Sequence, residues 1–359
     1  MTTPDIPNGH RSADIQFSAT PWGYTKLWLV NLLLTLATLG IYGAWAKVRN
    51  NQYLYGHTNI EGHRLQYLAK PLQILQGRLL ALGVLLIIMG VSYIEPMAAV
   101  VAYLILLALS PWLIVQGLKF TYRNTSYRNV RFDFKGSYID AFVNFILLPV
   151  LSVFTLFLAF PWVMKRIHQF MFGNCEYGGE RLTLNTSAGE YYKASAAVVG
   201  AYFVLFIALS LAFGGSMALL AGAGADPSDA EAFSQQVSAL IFPFIAAFYA
   251  LPYLLQALFS AMIRNHIVNN LSAEDLAQFK SNITVGGYLS VAMTNALLIL
   301  FTLGLGYPAA KVRKMRYLAS KTQVELSPRI DHMANQVDGN DSAFGEEAAG
   351  VFDTDLSII

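Results

Sequence analysis

Charge is what this chain has least of. Asp, Glu, Lys and Arg together make up 13% of its 359 residues, about half of what a soluble domain carries. The shortage falls in long uncharged blocks, and 55% of the chain is hydrophobic, which excludes an ordinary soluble domain. Cysteine is nearly absent. Cys175 stands alone, so no intrachain disulfide can form, and a lone Cys serves more often as a small packing residue than as a nucleophile. The motifs of chemistry are missing too. There is no HExxH, CxxC, phosphate-binding Gly-rich loop or dinucleotide fingerprint, and no Ser-His-Asp or Cys-His spacing. No enzyme activity, cofactor or metal is expected. His57 and His63 fall within one short alternating stretch, where a solvated hairpin accounts for them better than a metal pair. The start, Met1–Gln16, has no basic region followed by an apolar stretch, so no cleaved signal peptide is expected.

Seven apolar segments are present, near Leu27–Ala46, Leu72–Ile94, Met97–Leu118, Phe142–Met164, Ala194–Leu220, Val237–Met262 and Tyr288–Ala310. Each meets the roughly 20 residues a membrane span requires. Only Glu95 and Pro96 separate the second from the third, which predicts a tight helical hairpin. Between the fifth and sixth lies Ala221–Gln236, acidic and without Lys or Arg. The formal net charge of +2 hides a split: Arg329–Ile359 holds one Arg against seven carboxylates, a net −6, and leaves +8 on the rest. The expected organisation is a polar N-terminal tail over 1–20, a membrane domain over 21–326 and an acidic disordered tail over 327–359.

Internal repetition is visible without gaps. Aligning Ala44, Pro111 and Pro161 also matches Trp45, Trp112 and Trp162, then His57, Asn124 and Asn174, then Arg64, Arg131 and Arg181. Two weaker copies start from Pro252 and Pro308. The copies lie near 27–67, 97–134, 142–184, 237–272 and 288–326. In the three strong copies an apolar helix reaches a Trp suited to the interface. Basic residues follow, among them Lys47, Arg49, Lys119, Arg123, Lys165, Arg166, Lys311 and Arg313, and then an alternating stretch that reads as a small hairpin on the membrane face. Trp45, Trp112, Trp162, Lys47, Arg49, Arg64, Arg131, Arg181 and Arg313 are thus headgroup candidates; the plainer reading is that such flanks only orient helices. Asn31, Asn144 and Asn295 are the matched polar residues inside apolar segments. They are candidates for a substrate path or, more simply, interhelical hydrogen-bond formers.

Seven spans would invert successive three-segment units, as in many transporters. If segments one, four and seven are instead re-entrant, every basic loop shares one face and the acidic Ala221–Gln236 loop lies opposite. Segment length favours the first arrangement and charge the second.

The stretch Asn31–Arg49, its continuation Tyr53-Leu54-Tyr55-Gly56-His57-Thr58, the Leu118-Lys119-Phe120 segment and Arg264-Asn265-His266 with Asn270-Leu271-Ser272 resemble the signature of the YjgN-like bacterial inner-membrane proteins (domain of unknown function 898). The resemblance covers roughly Phe17–Leu326, with Ala44 where that family often has Pro and His57 where Asn is common. It implies a multi-span bacterial inner-membrane protein and no substrate. The expected fold is therefore an all-α integral membrane protein with about seven transmembrane helices, internal repeats and short β-hairpin-like loops at the membrane face. The leading functional expectation is a permease-like or channel-like transporter. The alternative is a non-transporting protein that binds anionic lipid or partner proteins through basic hairpins. The bilayer is the expected partner in either case, and nucleic acid is not.

Overall fold

A computed structural model describes residues 10–222, 230–273 and 276–332. The alternating stretches are strands, and they do not stand apart as separate hairpins. They are β1 (Arg11–Phe17), β2 (Thr58–Ile60), β3 (His63–Tyr67), β4 (Thr125–Tyr127), β5 (Val130–Phe134), β6 (Cys175–Tyr177), β7 (Glu180–Arg181), β8 (Thr183–Leu184), β9 (Leu271–Ala273), β10 (Ala277–Ser281) and β11 (Thr322–Leu326). All join one antiparallel sheet in the order β7-β6-β5-β4-β3-β2-β1-β11-β10-β9-β8. Its two ends, β7 and β8, are consecutive pieces of chain interrupted only at Leu182, whose N–H reaches back to the Cys175 carbonyl at 2.7 Å. The sheet therefore curls into a nearly closed barrel. Closure satisfies ladder groups that short strands would otherwise leave as open edges. The stretch expected to be a polar N-terminal tail supplies β1, which pairs with both β2 and β11.

Pairs of helices connect five of the successive strands, and short turns the rest. β1 leads through α1 (Pro21–Ala37) and α2 (Gly43–Gly56) to β2, and β3 through α3 (Pro71–Ile94) and α4 (Pro96–Arg123) to β4. β5 leads through α5 (Tyr138–Phe142), a π-helical turn (Val143–Leu147), α6 (Leu148–Phe154) and α7 (Phe160–Gly173) to β6. β8 leads through α8 (Ala188–Gly222) and α9 (Ala230–Asn269) to β9, and β10 through α10 (Val285–Phe301) and α11 (Tyr307–Ala319) to β11. The same strand–helix–helix–strand order thus occurs five times around the barrel. In each case the outgoing helix packs on the returning helix of the preceding pair.

The expectation of an all-α protein with seven spans is overturned. Among the described residues three helices are long and apolar enough to cross a membrane: Pro71–Ile94, Pro96–Arg123 and the first 31 residues of α8. Segments one, four and seven are each a helix, a tight turn and a second helix. Apolar length carries no information about direction, so a hairpin folded at its middle reads like a straight span. The outgoing arms α1, Tyr138–Phe154 and α10 are 17 residues each, and the turns fall at Thr38–Tyr42, Thr155–Ala159 and Thr302–Gly306.

The three turns share one construction. Leu39, Leu156 and Leu303 all take positive φ near 50°, followed by a second positive φ at Gly40, Phe157 and Gly304. In the first turn the N–H groups of Thr38, Leu39, Gly40, Ile41 and Gly43 each find a carbonyl, and the Tyr42 N–H finds the Thr38 hydroxyl at 2.9 Å. Thr155 and Thr302 do the same for Ala159 and Gly306. With its donors satisfied internally, a bend can sit in hydrocarbon without the cost of several kcal/mol that each orphaned group would impose there. The leucines at the three tips are 95%, 84% and 94% exposed, as suits side chains that face lipid.

Candidate functional site: the barrel lumen and the basic ring

Each returning helix must end before its strand begins, and the sequence provides a stop. In three copies an Asn side chain turns back on its own helix, donating to the carbonyl four residues earlier: Asn124 to Phe120 at 2.8 Å, Asn174 to Phe170 at 2.8 Å and Asn270 to His266 at 2.7 Å. The His57 ring nitrogen lies 2.6 Å from the Tyr53 carbonyl in the same place. Such bonds satisfy carbonyls that a helix C-terminus leaves free. They also correct the fourth alignment. Asn270, not Asn265, holds the capping position, so the copy starts at Ala257, five residues after Pro252. Asn265 instead fastens β10 to α9, accepting from Ser281 and from the Ile283 N–H.

Strand alternation then aims one residue in two at the lumen. Ile15, Leu65, Phe132, Leu182 and Phe279 come from one matched position, one from each pair of strands. Ile60, Tyr127, Tyr177, Ala273 and Val324 come from a second, and Thr58, Thr125, Cys175, Leu271 and Thr322 from a third. All line one cavity of about 280 Å³. At the end far from the helices the described lining is tied together. Tyr127 donates to the Ile60 carbonyl at 3.0 Å and Tyr177 to the Tyr127 carbonyl at 3.0 Å, and Ile330, from the short 3₁₀ turn Pro328–His332, is packed into the same core. Burial pushes the Cys175 thiol up, helped by the nearby carboxylates of Asp133 and Glu176, so it packs as an unreactive thiol. At the helix end the lining changes character: Asn51, Thr121, Arg264 and Lys311 enter it. The sequence reading singled out Arg264 only within the family-like stretch and gave it no role. Its signal was a cation placed six residues, nearly two turns, before the capping Asn, on the lumen side of its helix.

Outside the barrel, ion pairs stitch neighbouring hairpins. Glu61 accepts from Arg11 at 3.0 Å and Arg128 at 2.6 Å, and Asp133 from Arg123 and Lys135, both at 2.8 Å. Burial opposes ionisation of Asp133, but those two donors and the Phe134 N–H outweigh it and hold its carboxyl below the ordinary value.

The sequence-derived candidates separate into three places. Lys47 and Arg49 on α2 and Arg313 on α11 lie five to seven residues past their turns, roughly 10 Å along a helix. Arg49 donates to Tyr42, at the start of its own helix, at 2.7 Å, and Arg313 donates to Thr294 at 2.9 Å, which ties α11 to α10. Trp45 and Trp112 are partly buried and Trp162 is exposed at the same level. Arg64, Arg131 and Arg181 project from the outer wall of the barrel, seven residues before the next helix, which is roughly 20 Å of extended chain. Asn31, Asn144 and Asn295 are buried on three different helical hairpins. Asn31 donates to Asn50 at 3.0 Å and Asn295 to the Ala310 carbonyl at 3.0 Å, each tying the two arms of its hairpin; Asn144 donates to Asp140 on its own helix at 2.7 Å. The outgoing arms have equal length, so Asn144, at the seventh position rather than the eleventh, sits one turn nearer the barrel than the other two.

The model of a family described as "Bacterial protein of unknown function (DUF898)" matches residues 12–351. The chain is similar to the inner membrane protein YjgN of Salmonella typhimurium, with 26% identity across 84% of this chain and 86% of that one. It is also similar to the inner membrane protein YjgN of Escherichia coli O157:H7 and of strain K12, with 24% and 23% identity, each across 89% of both chains. No solved structure matches.

Proposed function

This chain belongs to the bacterial DUF898 family, and from that premise we propose that it is an inner-membrane platform that grips anionic lipid at the cytoplasmic leaflet rather than carrying a solute across. One observation carries the reading: every strand of the barrel lies at the same end of the helices, and three of its five helical hairpins turn back shortly beyond a cationic residue. The tips reach roughly 10 Å past Lys47, Lys165 and Lys311, less than half of a hydrocarbon core about 30 Å thick, so they wedge into one leaflet. The pairs α3–α4 and α8–α9 go further and anchor the assembly. The five units then form an internal repeat in which the barrel is the cytoplasmic face, since the α3–α4 turn carries Glu95 and no Lys or Arg. The proposal is non-catalytic. It is favoured over a permease because the three buried asparagines sit on separate hairpins, two of them engaged between the arms, and do not converge.

The test uses the full chain in non-ionic detergent. Added phosphatidylglycerol raises the unfolding temperature more than phosphatidylcholine does, and the combined variant Lys47→Gln, Arg49→Gln, Arg313→Gln loses most of that difference. Equal stabilisation of parent and variant by phosphatidylglycerol would sink the reading. Substrate-dependent flux in proteoliposomes would restore the permease.

A further inference from the structure

Arg264 lies where a cation has little reason to be. It lines the barrel cavity together with Lys311, and its Nε is buried without a hydrogen-bond partner. Lys314 is near enough to both for their charges to repel its own, and its ammonium lies 6.0 Å from the centre of the Tyr288 ring. No Asp or Glu occurs among the described residues that line the cavity. An unmet donor on a buried guanidinium is costly, and like charges held close raise that cost further. Below Arg264 the lumen turns apolar, through Val268 and Leu271 to Ala273 and Tyr177. One end is therefore built for an anion and the rest for hydrocarbon.

We propose that the barrel lumen is a binding site for a single-chain anionic amphiphile, its carboxylate or phosphate on Arg264 and Lys311 and its acyl chain running into the barrel. The size selects one chain over two: at roughly 30 Å³ per water-sized group, 280 Å³ holds on the order of nine such groups, about half of one C18 chain, so the inner half of a single chain fills the lumen and a second has no room. The placement selects the source. The cations lie on the returning helices at the level of the basic ring, where a molecule leaving the cytoplasmic leaflet meets them first. The inference rests on the membrane placement proposed above, yet it concerns the inside of the barrel and not its outer cations.

The full chain, purified in dodecyl maltoside, is titrated with cis-parinaric acid, a fluorescent C18 fatty acid. Saturable binding is expected, displaced by oleate or lysophosphatidylglycerol and not by oleyl alcohol; which anion displaces better tells a carboxylate ligand from a phosphate one. Arg264→Gln weakens binding at least tenfold, and Ala273→Phe, which fills one lumen tier, abolishes it while the unfolding transition remains cooperative. Should Ala273→Phe fail to fold, Ala277→Val replaces it. Non-saturable uptake, displacement by oleyl alcohol as good as by oleate, or unchanged affinity in Arg264→Gln overturns the proposal. The Lys47, Arg49, Arg313 variant separates the two readings: it keeps parinarate binding while losing the phosphatidylglycerol effect, and Arg264→Gln does the reverse.

Discussion

At the scale of single residues, polar groups in this protein are mostly used up locally. Asp133 is the clearest case among the charges, with Arg123 at 2.8 Å, Lys135 at 2.8 Å and a backbone N–H sharing its carboxylate. Its carboxyl is held below the ordinary value, so its ionised form favours the folded state. That contribution is fully present above the unfolded carboxylate value of about 3.9 and is lost as pH falls through the lower folded one. Asp133→Asn should therefore lower the unfolding temperature at pH 7, and the gap between variant and parent should close below about pH 4; melting curves across that range measure both. A gap that does not narrow as pH falls below about 4 would mean that shape, not charge, is what Asp133 supplies.

At the scale of elements, the unusual piece is the re-entrant turn. Thr38, Thr155 and Thr302 each give a hydroxyl to the first free N–H of the returning helix, and leucine rather than glycine takes the first positive-φ position. Thr302→Val keeps the shape and removes only the oxygen, leaving the Gly306 N–H without its acceptor. A buried donor so orphaned costs about 1–3 kcal/mol. The variant should unfold earlier by that amount, while Thr302→Ser, which restores the hydroxyl, should behave like the parent; denaturation of the three proteins in one detergent decides it. Equal stability of Val and Ser variants would show that the hydroxyl is dispensable. The matched Pro111, Pro161 and Pro308 show how context sets a residue's part. Pro161 and Pro308 stand in the first turn of α7 and α11, where the missing N–H is harmless, whereas Pro111 lies inside the continuous α4.

At the scale of the whole molecule, closure of the barrel gathers all eleven strands at one end of the helices, so the platform reading puts them all on one side of the membrane. In a Cys175→Ala background, cysteines introduced at Gly62, Asn129 and Gly179 should therefore all resist an impermeant thiol reagent in intact cells and all react in inverted vesicles. Labelling at Gly179 from outside, with Gly62 and Asn129 protected, would restore inverted units and seven spans and would dismantle the barrel-side platform.

The sequence by itself determined the membrane class, the family and the local chemistry of each copy. Charge scarcity, Trp and basic flanks, the alternating stretches and the Asn at their head are properties of short windows, and short windows are legible one residue at a time. It also placed both topologies in view, with segments one, four and seven re-entrant as the arrangement that charge favoured. The number of spans was misread because Leu27–Ala46, Phe142–Met164 and Tyr288–Ala310 carry their turns on apolar residues: Thr-Leu-Gly and Thr-Leu-Phe keep hydropathy high while reversing the chain. Only the tertiary structure decided that the hairpins pair with one another. Strand pairing joins residues as far apart as Arg11 and Leu326, a relation that no local pattern encodes. The lumen and its cation were hidden for the same reason. Val268, Leu182 and Ile15 look like ordinary apolar residues until closure turns them inward, and Arg264 looks like one more interfacial cation until the ring of helices brings Lys311 and Lys314 beside it.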